Sequence, residues 1–263
     1  MKKFLFIAIS ILIASCSDDS GQQEKLVAAL DESLSENLAY AELGNLTLSE
    51  YGFFTGDLAE LNPSESVFPY ELNTPLFTDY AQKARFIYLP DSSQIAYREN
   101  EVLDFPLGTV LIKNFYYSGE QLNQSKNKII ETRLLIHQEE GWVALPYIWN
   151  KEQSEAYLEI TGGSMDLAIN TESGVKHSFA YGVPTMNQCK SCHEKDGKII
   201  PIGPSVRQLN RDGQIEKMIA QGKLVNAPEV EQWPNLAQWD NTDYNVDERA
   251  RAYLDINCAH CHS

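Results

Sequence analysis

Residues 108–150 read GTVLIKNFYYSGEQLNQSKNKIIETRLLIHQEEGWVALPYIWN, and three apolar and aromatic runs stand out: Gly108–Tyr117, Lys128–His137 and Gly141–Asn150. In the middle run Ile130, Thr132, Leu134 and Ile136 alternate with Arg133, Leu135 and His137, which places the two sets on opposite faces of a strand. Outward from this stretch, ARFIYLP (84–90), AYLEI (156–160) and HSFAYGV (177–183) are of the same kind, each bounded by turn residues. Regularly spaced runs of this type predict an all-β domain over residues 46–181, built as a sandwich or barrel. Tyr116, Trp142, Tyr147 and Trp149 suit the core of such a domain.

From about Gly182 the pattern changes to proline-containing loops and helical segments. QIEKMIAQGKL (214–224) places Ile215, Met218 and Ile219 on one helical face, with Gly222 as its stop. NVDERARAYLDINCAHCH (245–262) predicts a better-defined helix, capped by Asn245, with Asp247 and Glu248 on the positive end of the dipole. Its apolar stripe is expected at Ala250, Tyr253 and Leu254, continuing to Cys258 and Cys261. The segment before Cys189, residues 183–188, reads as a loop.

Two C-x-x-C-H motifs lie in this second region: Cys189-Lys190-Ser191-Cys192-His193 and Cys258-Ala259-His260-Cys261-His262. On a helical segment, thiols three residues apart share a face, so each can form a thioether with a haem vinyl group while the adjacent histidine binds iron. The candidate covalent anchors are therefore Cys189, Cys192, Cys258 and Cys261, and the candidate axial ligands are His193 and His262, for two c-type haems. A zinc ribbon would join its cysteine pairs by only ~15–20 residues, and a thioredoxin-like pair would need a βαβ context; neither pattern is present. For a distal ligand Met218 is the best candidate, a thioether on a helix downstream of the first motif. Met186 is too near that motif, Met165 and His177 belong to the β region, and His137 reads as a strand-end surface residue. The loop Pro201–Pro204 is expected to supply a carbonyl to the His193 ring.

The remaining cysteine is Cys16, which ends MKKFLFIAISILIASC, a segment with Lys2 and Lys3 followed by an apolar run from Phe4 to Ala14. This is an export signal, too short for a membrane span. Its Ile-Ala-Ser-Cys ending resembles a bacterial lipobox, which implies lipidation of Cys16 and anchoring to the cell envelope. The cysteines then divide without remainder and leave none for a disulfide. Residues 17–45 read as a tether, with a short helix suggested by Leu26, Leu30, Leu34 and Leu38. A net charge of −16 disfavours nucleic acid and favours a basic redox partner.

Beyond the motifs, LSEYGFF (48–54), PYELNTPLFTDYAQKARFIYLP (69–90), DFPLGTVLIKNF (104–115), ETRLLI (131–136), GWVALPYIWN, NQCKSCH (187–193), PIGPSVRQLNRD (201–212) and ERARAYLDINCAHCH (248–262) resemble a family of exported bacterial dihaem c-type cytochromes. The resemblance implies covalent haem and electron transfer, and a chain that continues past the second motif, so this one reads as C-terminally truncated with an incomplete second site. The expected fold class is α+β in two domains. A β-sandwich-like domain (46–181) precedes a mostly α-helical cytochrome c-like domain (182–263). The expected function is an envelope-anchored electron carrier; the alternatives are a haem enzyme, such as a dihaem peroxidase or oxidase subunit, and a β-domain binding module with an accessory haem domain.

Overall fold

Alternation in the 108–150 stretch is realised as three long strands at the centre of an antiparallel sheet. The computed structural model describes residues 43–262; the signal, Cys16 and nearly all of the tether lie outside the described residues. In chain order the strands are β1 Val67–Pro69, β2 Gln82–Tyr88, β3 Ile95–Ala96, β4 Val110–Tyr117, β5 Lys128–Gln138, β6 Gly141–Trp149, β7 Ala156–Leu158, β8 Gly163–Asn170, β9 Lys176–Val183, β10 Glu194–Lys195, β11 Lys198–Ile199 and β12 Leu224–Val225. The main sheet has six strands in the order β1-β2-β4-β5-β6-β7. A short helix, α1 (Gly119–Leu122), joins β4 to β5, and Ser118 and Gln121 cap it reciprocally.

Each face of the sheet is covered by a different part of the chain. On one face the segment before β1 packs down: Leu48 donates its backbone N–H to Ala156 at 2.9 Å, Phe54 stands edge-on to Phe86 at 5.1 Å, and the hydroxyls of Tyr51 and Tyr147 lie 2.9 Å apart. Beneath them runs a buried polar chain. Trp149 Nε1 donates to Thr132 Oγ1 at 2.9 Å, and Thr132 Oγ1 donates to Asn114 Oδ1 at 2.6 Å.

On the other face Ile87, Leu111 and Leu135 stand in register on β2, β4 and β5. They join one core with Val206, Leu209, Ile215, Met218, Leu224 and Trp233. The C-terminal third therefore folds onto the sheet, through α3 (Val206–Leu209) and α4 (Gln214–Ala220), which follow α2 (Met186–His193). Strand β12 then pairs parallel with β3, Leu224 opposite Ile95.

This overturns the expected α+β, two-domain fold with a β-sandwich and a mostly α-helical second domain. The described residues are mostly β, with 32% strand against 23% helix, and they form one compact unit from Leu43 onward. In place of a sandwich's second sheet, the hairpin β8–β9 covers one end of the main sheet, packing Leu167 and Ile169 on Tyr117 and Ile130. The misreading has a physical reason. Periodicity at Ile215 and Met218 reports that a helical face is buried but not whether a helix or a sheet buries it.

Candidate functional site

Strand β9 delivers the first motif directly onto the sheet. Its end, Val183-Pro184-Thr185, passes so close to Gly162 that a Cβ there would lie 2.7 Å from the Val183 carbonyl oxygen, and Gly162 also has a φ of +75°; both require glycine. The chain then enters α2 through a capping box. Gln188 N–H donates to Thr185 Oγ1 at 3.0 Å, and Thr185 N–H donates to Gln188 Oε1 at 2.8 Å. The expectation of a loop before Cys189 is thus corrected, since the motif lies wholly on a capped helix. The Thr-x-x-Gln signature for it is legible in the sequence.

Within α2, Cys189 is buried and Cys192 is exposed. After His193 the chain reverses through the hairpin β10–β11, whose turn residues Asp196 and Gly197 both have positive φ, 53° and 76°. Asp-Gly is the residue pair that such tight turns favour. The reversal brings Ile200 back to His193. Ile200 N–H donates to the His193 carbonyl at 2.6 Å, and His193 Nδ1 lies 2.9 Å from the Ile200 carbonyl oxygen. With Nδ1–H donating, Nε2 holds the lone pair and the ring plane is set. The carbonyl comes from the residue just before the loop expected to supply it. Burial lowers the His193 pKa, against the opposing effect of this hydrogen bond, and so favours the neutral ring; burial likewise raises the Cys189 thiol.

The second motif ends a helix that begins as expected. Asn245 and Glu248 cap α5 (Val246–Leu254) reciprocally, after which a π-helical turn, Asp255–Ala259, leads into His260–His262. Two contacts dock this segment: Arg207 pairs with Asp255 at 3.0 Å, and Phe77 N–H donates to Asn257 Oδ1 at 2.8 Å. The buried side is Ala252 and Ile256, while Tyr253 and Leu254 are exposed, which corrects the expected stripe. Ala252 and Ile256 keep ordinary helical spacing, four residues apart, so the inner face is set by what the helix packs against and not by its larger apolar side chains.

Both motifs reach one cavity of about 900 Å³, at the upper end of the ~300–1,000 Å³ typical of ligand pockets. Cys189, Cys192 and His193 line it from the first motif, and Ala259 and His260 from the second. The sheet contributes Arg85, Lys113, Arg133 and His137 to its wall. His137, expected at the surface, instead stacks on Trp142 at 4.5 Å with Nδ1 2.9 Å from the Phe105 carbonyl oxygen. Met218 does not line the cavity; it is buried in the core beside Ile215 and Leu224. His177 stacks on Tyr80 at 5.5 Å. Cys258 is half-buried, and Cys261 and His262 are exposed.

Several buried polar atoms on residues that line this space have no partner among the described residues. Arg85 Nη2, Arg207 Nε, Gln208 Nε2 and His260 Nδ1 lack hydrogen bonds, and all four residues line the cavity. The first three are N–H donors with no acceptor among the described residues. Among the described residues no three His, Cys, Asp or Glu side chains are grouped as a metal-ion site. No helix among the described residues is long and apolar enough to cross a membrane. No protein-family model, curated protein or solved structure matches the chain.

Proposed function

We propose that this protein is an electron-transfer protein of the bacterial cell envelope that carries covalent haem at both C-x-x-C-H motifs. The observation that carries the reading is the first motif's geometry. On a capped helix facing a large cavity, its histidine is oriented by the Ile200 carbonyl at 2.9 Å and its other ring nitrogen is left to bind a metal. The residues present fit the group. Cys189 and Cys192 would anchor one haem with His193 as ligand, and Cys258 and Cys261 the other with His262. Haem supplies one-electron chemistry at its iron.

The chain's own residues prepare that chemistry in three ways. Ile200 fixes the His193 tautomer, burial keeps the imidazole neutral, and the apolar row Ile87, Leu111 and Leu135 extends a dry core beside the cavity. In the same proposal, lipidated Cys16 anchors the protein at the exported side of the membrane, and its acidic surface steers a basic redox partner.

The test is a pyridine haemochrome assay on full-length protein produced in a host with c-type maturation. Two covalent haems per chain are expected, falling to one in Cys189→Ser/Cys192→Ser and to one in Cys258→Ser/Cys261→Ser. Absence of covalent haem in the folded wild type overturns the reading.

A further inference from the structure

Three cations stand side by side on the cavity wall. Arg85 on β2 is the cross-strand partner of Lys113 on β4, which is in turn the partner of Arg133 on β5. Adjacent strands are ~4.8 Å apart, so the row spans about 10 Å of wall. Like charges directly opposite one another destabilise a sheet. The next row shows what the same positions hold when only packing is at stake, namely Ile87, Leu111 and Leu135.

The chain does little to neutralise the row. Arg133 is paired, with Nε 2.8 Å from Glu131 Oε2. Arg85, only 5% exposed, meets a single acid, Glu71, at 3.5 Å, and Glu71 itself is 60% exposed. Lys113 forms no salt bridge among the described residues and lies over the Phe115 ring at 4.9 Å. Among the described residues Arg85 Nη2 is buried and unpaired, as are Nε2 of Gln208 and Nε of Arg207 on α3, whose residues also line the cavity. In a protein of net charge −16, three basic side chains thus stand together along one wall of the cavity, while Glu101, Asp104, Glu194 and Asp255 line other parts of it. A carboxylate supplies what the basic wall lacks, a negative charge and two acceptor oxygens suited to a guanidinium fork.

We propose that Arg85, Lys113 and Arg133, with Gln208 on α3, form a carboxylate-binding site in the cavity that holds the first motif. Two sources share this chemistry. One is the propionates of the haem held at Cys189 and Cys192, an assignment that rests on the function proposed above; the other is a free small dicarboxylate.

The experiment compares wild type, Lys113→Met and Arg85→Gln as full-length chains, haem-loaded and haem-free. Succinate affinity is measured by calorimetry, midpoint potential by spectroelectrochemistry and stability by thermal melting. Haem-free wild type is expected to bind succinate, and each variant to bind it about tenfold more weakly or worse, the loss of one charge-assisted contact. Ligand-free Lys113→Met is expected to melt higher than wild type, because it removes like-charge repulsion; a merely structural lysine would move the melt the other way. If propionates are the source, loaded wild type no longer binds succinate, and both variants shift to lower midpoint potential, since positive charge beside the iron favours the reduced state. If a free dicarboxylate is the source, loaded wild type still binds succinate and the potentials stay put. The proposal is overturned if haem-free wild type has no affinity for succinate and no variant moves the potential. Should the chain carry no covalent haem, the functional reading fails by itself and the haem-free succinate measurement alone decides the site.

Discussion

The hydroxyl of Tyr181 donates to Oε1 of Glu131 at 2.5 Å, and Glu131, fully buried, receives Arg133 Nε at 2.8 Å through its other oxygen. This contact ties the hairpin β8–β9 to the main sheet a short distance before Cys189, so it helps set where the first motif begins. Burial, with the Glu131 charge adding to it, holds the Tyr181 phenol well above its ordinary pKa and keeps it a donor. Hydrogen bonds to charged groups contribute about 1.5–3 kcal/mol. Tyr181→Phe is therefore expected to lower unfolding free energy by about that amount, seen as a lower urea midpoint at unchanged slope. A midpoint equal to wild type would show that the bond contributes nothing.

A second test concerns the polar chain on the opposite face of the sheet. Thr132 is the only link between Trp149 Nε1 and Asn114 Oδ1, and Thr132 and Asn114 are both buried at 0% exposure. Thr132→Val keeps the shape but strands a donor and an acceptor, so a loss of about 2 kcal/mol or more is expected by urea unfolding. A loss under ~0.5 kcal/mol would mean that the chain re-pairs elsewhere.

The cap of the motif helix can be probed without touching the motif. Thr185→Ala removes the Oγ1 acceptor for Gln188 N–H and should cost about 1 kcal/mol. The loss should be local: amide hydrogen exchange is expected to speed up across Met186–His193 while β4, β5 and β6 keep their protection. Uniform acceleration would instead point to a global role for the cap.

Stability of the haem-free chain should depend on pH through the cations near the cavity. Burial, followed by the charges of Arg85 and Arg133, pulls Lys83 from 10.5 down to about 8, and the same causes lower Lys113 well below the usual lysine range. Between about 8 and 10.5 the unfolded Lys83 binds more proton than the folded one, so its contribution to stability rises with pH across that window and its penalty is fully present below it; Lys113 acts in the same sense. Tyr70 and Tyr117, pushed up to about 12 by burial, act in the opposite sense once unfolded tyrosines begin to ionise near 10.0. Urea midpoints are thus expected to climb from pH 8 to a maximum near pH 10 and then fall, with a flatter climb in Lys83→Met. A steady decline from pH 8 would contradict this assignment.

Much of the architecture was legible because it is local. The alternation of Ile130 to His137 predicts β5, and Asn245 with Glu248 predicts the start of α5, since a strand's two faces and a helix's orphan amides are properties of neighbouring residues. The same holds for two signals that went unread, Thr185 with Gln188 and the Asp196-Gly197 turn. The buried face of α5 was not legible, because the small Ala252 is buried while the larger Tyr253 and Leu254 are exposed, and which side turns inward depends on the contacts that dock the following segment, at Arg207 and Phe77.

The sequence by itself determined the two C-x-x-C-H motifs, the central strands and the capped helix that ends at the second motif. Only the tertiary structure decided that the C-terminal third shares a core with the sheet, that Met218 lies in that core while His137 and His260 face the cavity, and that Arg85, Lys113 and Arg133 stand in one row. The physical reason is register. Each of these juxtapositions depends on which residues stand opposite one another across paired strands or packed elements, and spacing along a single chain does not specify that.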